Sequence, residues 1–145
     1  MRIETYTKRY EDDVAKLIAD FHLEALNEYD SEISAQAITD TIRQADHSNA
    51  FLLIVEEKAV GILYGTRLRS PTNGREIFQE VMWFVDERFR SRGVWLLREV
   101  ENILKSQGVG IMIMAVLENS KTDKLKALYE RLGFRHMESH YCRAI

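Results

Sequence analysis

Val85-Asp86-Glu87-Arg88-Phe89-Arg90-Ser91-Arg92-Gly93-Val94-Trp95 joins the end of an apolar run to a stretch of helical periodicity. Beyond Gly93, the residues Leu96, Leu97, Val100, Ile103 and Leu104 recur on one helical face, while Arg98, Glu99 and Lys105 take polar positions. Gly108 or Gly110 ends that pattern. The run Ile111-Met112-Ile113-Met114-Ala115-Val116 follows, apolar at both alternating sets of positions, as expected of a strand covered on both faces. The order strand, glycine turn, helix, strand predicts two parallel strands joined by a right-handed crossover. It also predicts an anion site, because the first turn of a helix has N–H groups without intrahelical acceptors and a glycine beside them lets a phosphate reach the peptide planes.

Upstream, residues 76–85 read as a strand entered from the turn Ser70-Pro71-Thr72-Asn73-Gly74. Residues 51–55 and 60–68, joined by the polar turn Glu56-Glu57-Lys58-Ala59, complete an antiparallel meander with it. Gly61 and Gly65 interrupt the strand pattern, each marking a bulge or a close backbone approach. Residues 3–7 suit a first strand, and Val14, Leu17, Ile18, Phe21 and Ala25 recur at helical spacing after it. A second helix is expected at residues 35–45, on Ala37, Ile38, Thr41, Ile42 and Ala45, behind an acidic and polar link at residues 27–34. Downstream, a helix at residues 122–132 should stop at Gly133, and residues 134–143 are expected to supply the last strand.

With 145 residues, 46% of them hydrophobic, the chain suffices for one core, and a single domain over residues 1–145 is expected. A formal charge of −3 and a pI near 5.8 argue against nucleic acid or an anionic membrane as partner. One cysteine, Cys142, excludes an internal disulfide, no long apolar segment follows Met1, and the internal apolar runs are too short to cross a bilayer. A cytoplasmic location is expected. His136, Glu138 and His140 share alternating positions but lack a fourth ligand, so no metal is expected.

Two segments together resemble a known family. Residues 85–93, quoted above, are similar to the strand end and arginine-glycine phosphate loop of the GNAT superfamily of acyl-coenzyme A N-acetyltransferases, and Leu128-Tyr129-Glu130-Arg131-Leu132-Gly133-Phe134 is similar to its helix ending in a glycine and aromatic pair. The resemblance covers residues 51–145. It implies a mixed α/β fold, α+β-like, with a central mostly antiparallel sheet splayed in the middle and helices on both faces. It implies acetyl transfer from acetyl-coenzyme A to a primary amine by direct attack in a ternary complex.

By the same resemblance, the amides around Arg90, Ser91, Arg92, Gly93, Val94 and Trp95 hold the coenzyme pyrophosphate, and the main chain of Trp83 and Val85 meets the pantetheine. Tyr129 matches the family's thiolate-protonating tyrosine, and Glu80 the position that accepts the amine proton through water; Tyr64 and Glu118 are weaker candidates for such roles. A phenol with an ordinary pKa of about 10 stays protonated at neutrality, and a carboxylate in a partly apolar cleft has a raised pKa. Trp95 departs from the pattern, which usually has a small residue there, and its indole is expected in the contact between helix and sheet. Glu24, Glu28, Asp30 and Glu32 either attract a cationic acceptor or form a solvated face. A noncatalytic acyl-coenzyme A binding or regulatory module and a protein-interaction domain with Trp95 filling the groove are the competing readings. The resemblance is also compatible with a homodimer.

Overall fold

The computed structural model describes residues 1–118 and 121–145. They form two compact units, Met1–Ala115 and Val116–Ile145. In the first, five strands lie in the order β1 (Arg2–Thr5), β2 (Ala50–Val55), β3 (Lys58–Arg69), β4 (Glu76–Val85) and β5 (Ile111–Ile113). The first four are antiparallel neighbours, and β5 runs parallel to β4. Helices α1 (Glu11–Phe21) and α2 (Ala35–Gln44) precede β2, and α3 (Gly93–Ser106) connects β4 to β5.

Strand alternation distributes the core between two faces. Leu52, Ile54, Ile62 and Met82 pack with Val14 and Leu17 of α1 and Ile42 of α2. The alternate residues Phe51 and Phe78 meet edge to face at 6.1 Å, on the side where Leu96, Leu97, Val100 and Leu104 of α3 are buried. Strand β2 is therefore apolar at successive positions because both of its faces are covered.

Local chemistry sets several boundaries. Ser34 caps α2 by accepting the Ala37 N–H at 3.2 Å. The β2–β3 turn places Glu56 and Glu57 at φ of 50° and 62°, a two-residue turn of the primed type that glycine and asparagine adopt more readily. Ion pairs from Arg2 and Arg9 to the Glu57 carboxylate, both at 2.8 Å, hold that turn against β1 and the segment after it. Helix α1 does not stop cleanly at Phe21 but widens into a π-helical turn over His22–Leu26.

The second unit contains α4 (Thr122–Arg131), which ends in a Schellman motif. Gly133 takes φ of 90°, its N–H bonds to the Glu130 carbonyl at 3.1 Å, and the Phe134 N–H reaches the Tyr129 carbonyl at 2.9 Å. The ring of Phe134 rests on that of Tyr129, with centroids 5.4 Å apart.

Two expectations are corrected here. Strand β5 covers three residues instead of the six of the apolar run, and Ile111 is exposed while Met112 and Ile113 are only half-buried. Residues 134–145 carry no strand; neither alternating set in Phe134-Arg135-His136-Met137-Glu138-Ser139-His140 is consistently apolar, so a strand there has no face to bury. No helix among the described residues is long and apolar enough to cross a membrane.

Candidate active site

The site is organised by a split between β4 and β5. Their ladder pairs Ile77 with Ile111, Phe78 with Met112 and Gln79 with Ile113, and then stops. On the other side of β4, Gly65 faces Glu80 while Tyr64 faces Met82, so Val81 is an extra residue, a β-bulge. A bulge bends and twists its strand, which accounts for the divergence immediately beyond it. Gly65 makes the bulge sterically feasible: a Cβ there would lie 2.5 Å from both the Gln79 carbonyl oxygen and the Phe78 ring. Val81 is 55% exposed, and residues 80–85 present an edge that β5 does not ladder.

Glu80 stands at the apex of this split. Its Oε2 accepts the backbone N–H of Ala115 at 3.3 Å. Burial pushes the carboxyl up to about 7, against the opposing effect of the Ala115 hydrogen bond. A carboxyl in that range exchanges a proton near neutrality, as a general base requires.

Past Val85, Asp86 accepts the Arg88 N–H at 3.0 Å and starts a 3₁₀ turn over Glu87–Arg92 that runs directly into α3. The N-cap residue Arg92 contributes no side-chain hydrogen bond, and the first turn of α3 contains no acidic residue. That terminus thus retains the polarity that attracts an anion. The Gly93 N–H itself is engaged by the Arg90 carbonyl. A Cβ on Gly93 would meet Trp83 at 3.7 Å and Val85 at 3.8 Å, ordinary contacts, so this glycine faces β4.

The remaining loop residues differ in their surroundings. Ser91 and Arg92 are exposed, and Val94 is half-buried. Trp95 is also half-buried and flanks the buried stripe of Gly93, Leu96, Leu97, Val100 and Leu104 instead of joining it, because it lies about 100° around the helix from Leu96. Arg90 turns back toward β4: its Nε donates to the Val85 carbonyl at 3.2 Å, its guanidinium lies 5.5 Å from the Phe84 ring centroid, and it pairs with Glu24.

In the second unit, Tyr129 is buried, and the Schellman motif fixes its ring against Phe134. The sequence profile of the acetyltransferase (GNAT) family matches residues 12–134. The chain belongs to this family. Solved structures agree with the assignment at the level of fold. A ribosomal-protein-alanine N-acetyltransferase from Brucella melitensis biovar Abortus 2308 aligns over 100% of both chains, with a TM-score of 0.77 at 15% identity. A possible acetyltransferase from Clostridium difficile 630 aligns over 99% of this chain and 96% of its own, with a TM-score of 0.77 at 17% identity. An aminoglycoside acetyltransferase, HMB0005, from an uncultured soil metagenomic sample aligns over 100% and 99%, with a TM-score of 0.69 at 18% identity. No curated protein sequence matches the chain significantly.

Within this GNAT chain the weaker candidates have other surroundings. Tyr64 packs against the core on the α1 side, and Glu118 pairs with Lys126 at 3.5 Å. His136 and His140 both engage Glu138, and no group of three or more metal-ligating side chains gathers among the described residues. Sequence reasoning missed two features of the candidate site: the bulge at Val81 and the bond between Arg90 and Glu24. Gly65 was the signal for the first. The second pairs residues 66 positions apart and had none.

Proposed function

We propose that this GNAT protein transfers an acetyl group from acetyl-coenzyme A to a primary amine by direct attack in a ternary complex. The observation that carries the reading is the Glu80 carboxyl, held near neutrality by burial just beyond the end of the β4–β5 ladder. An amine nucleophile must shed a proton, and Glu80 accepts it, directly or through one water. The residues also suit a coenzyme: α3 begins without a side-chain cap, and β4 continues past the point where its ladder with β5 stops.

When bound, acetyl-coenzyme A supplies an electrophilic thioester carbonyl and a thiolate leaving group. The start of α3 at Val94 and Trp95, with Arg90, Ser91, Arg92 and Gly93 beside it, would hold the diphosphate, and the end of β4 at Trp83 and Val85 would hold the pantetheine arm. Tyr129 would supply the phenolic proton that the departing sulfur takes up. Its ring is held by Phe134, so little side-chain freedom is lost when the hydroxyl acts. The exposed carboxylates Glu28, Asp30 and Glu32 favour a cationic acceptor such as a small polyamine, an amino acid derivative or a peptide N-terminus.

Incubating the protein with acetyl-coenzyme A and an amine library, with products read by mass, tests the reading. Amines 42 Da heavier (about one acetyl in place of one hydrogen) support it, with the loss of Glu80 suppressing their formation. Binding of the coenzyme without any acetylated amine would replace it with a noncatalytic binding role.

A further inference from the structure

Arg90, just before α3, is tied to the π-helical turn after α1 by the carboxylate of Glu24. A groove of about 600 Å³ beside the loop is lined by Lys16, Asp20, Glu24, Asp86, Arg88 and Arg90, among others. Each of these cations already holds a carboxylate: Lys16 pairs with Asp20 at 2.7 Å, Arg88 with Asp86 at 3.4 Å, and Arg90 with Glu24. The first two pairs lie within four residues of each other in sequence. The third spans 66 residues and joins two different elements.

Arg90 is held from three directions. Besides Glu24, it donates to the Val85 carbonyl and covers the face of Phe84, which in turn meets Phe21 of α1 edge on at 6.1 Å. Its guanidinium thus lies over the end of β4. A guanidinium engaged by one carboxylate has less charge and fewer donors to offer another anion.

We infer that Glu24 competes with the coenzyme diphosphate for Arg90, so that binding exchanges one partner of the arginine for the other and Glu24 sets the affinity. This rests on the reading of residues 90–95 as the coenzyme site. Removing the carboxylate then tightens binding, although it also removes an ion pair of the free protein. A purely structural tie has the opposite sign, because loosening it disorders the loop and weakens binding.

Titration calorimetry with coenzyme A, on the full chain carrying Glu24→Gln, Glu24→Ala, Arg90→Gln or Glu24→Gln with Arg90→Gln, decides the matter. Both Glu24 variants should bind about two- to fivefold more tightly than the wild type, the range expected from releasing a solvent-accessible ion pair. The dependence on salt should steepen as well, since a free Arg90 contributes its full charge. In the Arg90→Gln background the Glu24 change should have no effect. Affinity unchanged or lowered in both Glu24 variants, or a gain that persists without Arg90, overturns the inference while leaving the coenzyme reading intact. Absence of coenzyme A binding in every protein, each shown folded by its melting transition, overturns both.

Discussion

Ala115 donates its backbone N–H to the Glu80 carboxylate at 3.3 Å, at the level where β4 and β5 part. The side chain thereby takes over a hydrogen bond that the interrupted ladder leaves unmade. One carboxyl both accepts this backbone N–H and titrates near neutrality, so its ionisation is linked to stability.

The fold holds Glu80 at about 7 against an ordinary value of 4.5, so between these values the folded chain binds the proton more tightly than the unfolded chain does. Its contribution is most favourable below 4.5 and declines as pH rises to about 7, by at most about 3 kcal/mol. Glu80→Gln keeps an acceptor for Ala115 and should flatten this decline. Urea unfolding at about pH 5 and about pH 8 measures it, and identical pH dependence in the two proteins would count against the burial effect. Acetyl transfer should rise through pH 7 in the wild type and lose that limb in the variant.

Two glycines of the site should respond differently to alanine. At Gly65 the new Cβ would collide with the Gln79 carbonyl and the Phe78 ring, costing about 3 kcal/mol or preventing folding. At Gly93 it would make only ordinary contacts with Trp83 and Val85, and with φ of −58° the helix should gain up to about 1 kcal/mol. Coenzyme A affinity should survive Gly93→Ala. Denaturation midpoints and calorimetry check both, and a large loss of affinity at Gly93 would mean that its Cα faces the phosphates after all.

Tyr129→Phe removes only the hydroxyl, while the ring keeps its contact with Phe134. The turnover rate of the folded variant should fall about 100-fold. Gly133→Ala, by contrast, forces a Cβ onto φ of 90° and should cost about 1 kcal/mol of stability through the α4 terminus. Steady-state kinetics beside thermal melts separate the effects. An undiminished rate in Tyr129→Phe would assign the proton to another donor.

The β2–β3 turn carries removable strain. Glu56 sits at φ of 50°, and Glu56→Gly should raise stability by about 1 kcal/mol, or about 3 °C in melting temperature. Glu57→Gly should gain less, because it also loses the ion pairs to Arg2 and Arg9. Melting curves for the two variants give the comparison.

The meander, the helix after Gly93 and the stop at Gly133 were legible in the residues themselves. A strand's alternation, a helix's 3.6-residue repeat and a turn's need for glycine or proline follow from the geometry of a short piece of backbone, so Leu96, Leu97, Val100 and Leu104 announce their buried face with no knowledge of what covers it. The bulge was legible only halfway: Gly65 marked a close approach, but Glu80-Val81-Met82 reads as ordinary strand until its partner is known. The short β5 and the unpaired residues 134–145 were missed because pairing depends on an available edge and a consistent face, which composition alone does not specify.

The apolar periodicity and the two motifs of Chain positions 85–93 and 128–134 determined the family and the order of the elements, since both are written in consecutive residues. Tertiary structure alone decided that β4 and β5 part after Gln79, that Glu80 is desolvated there, and that Arg90 finds Glu24. The reason is physical: a carboxyl's proton affinity and an arginine's choice of partner are set by groups that arrive through space, from residues dozens of positions away.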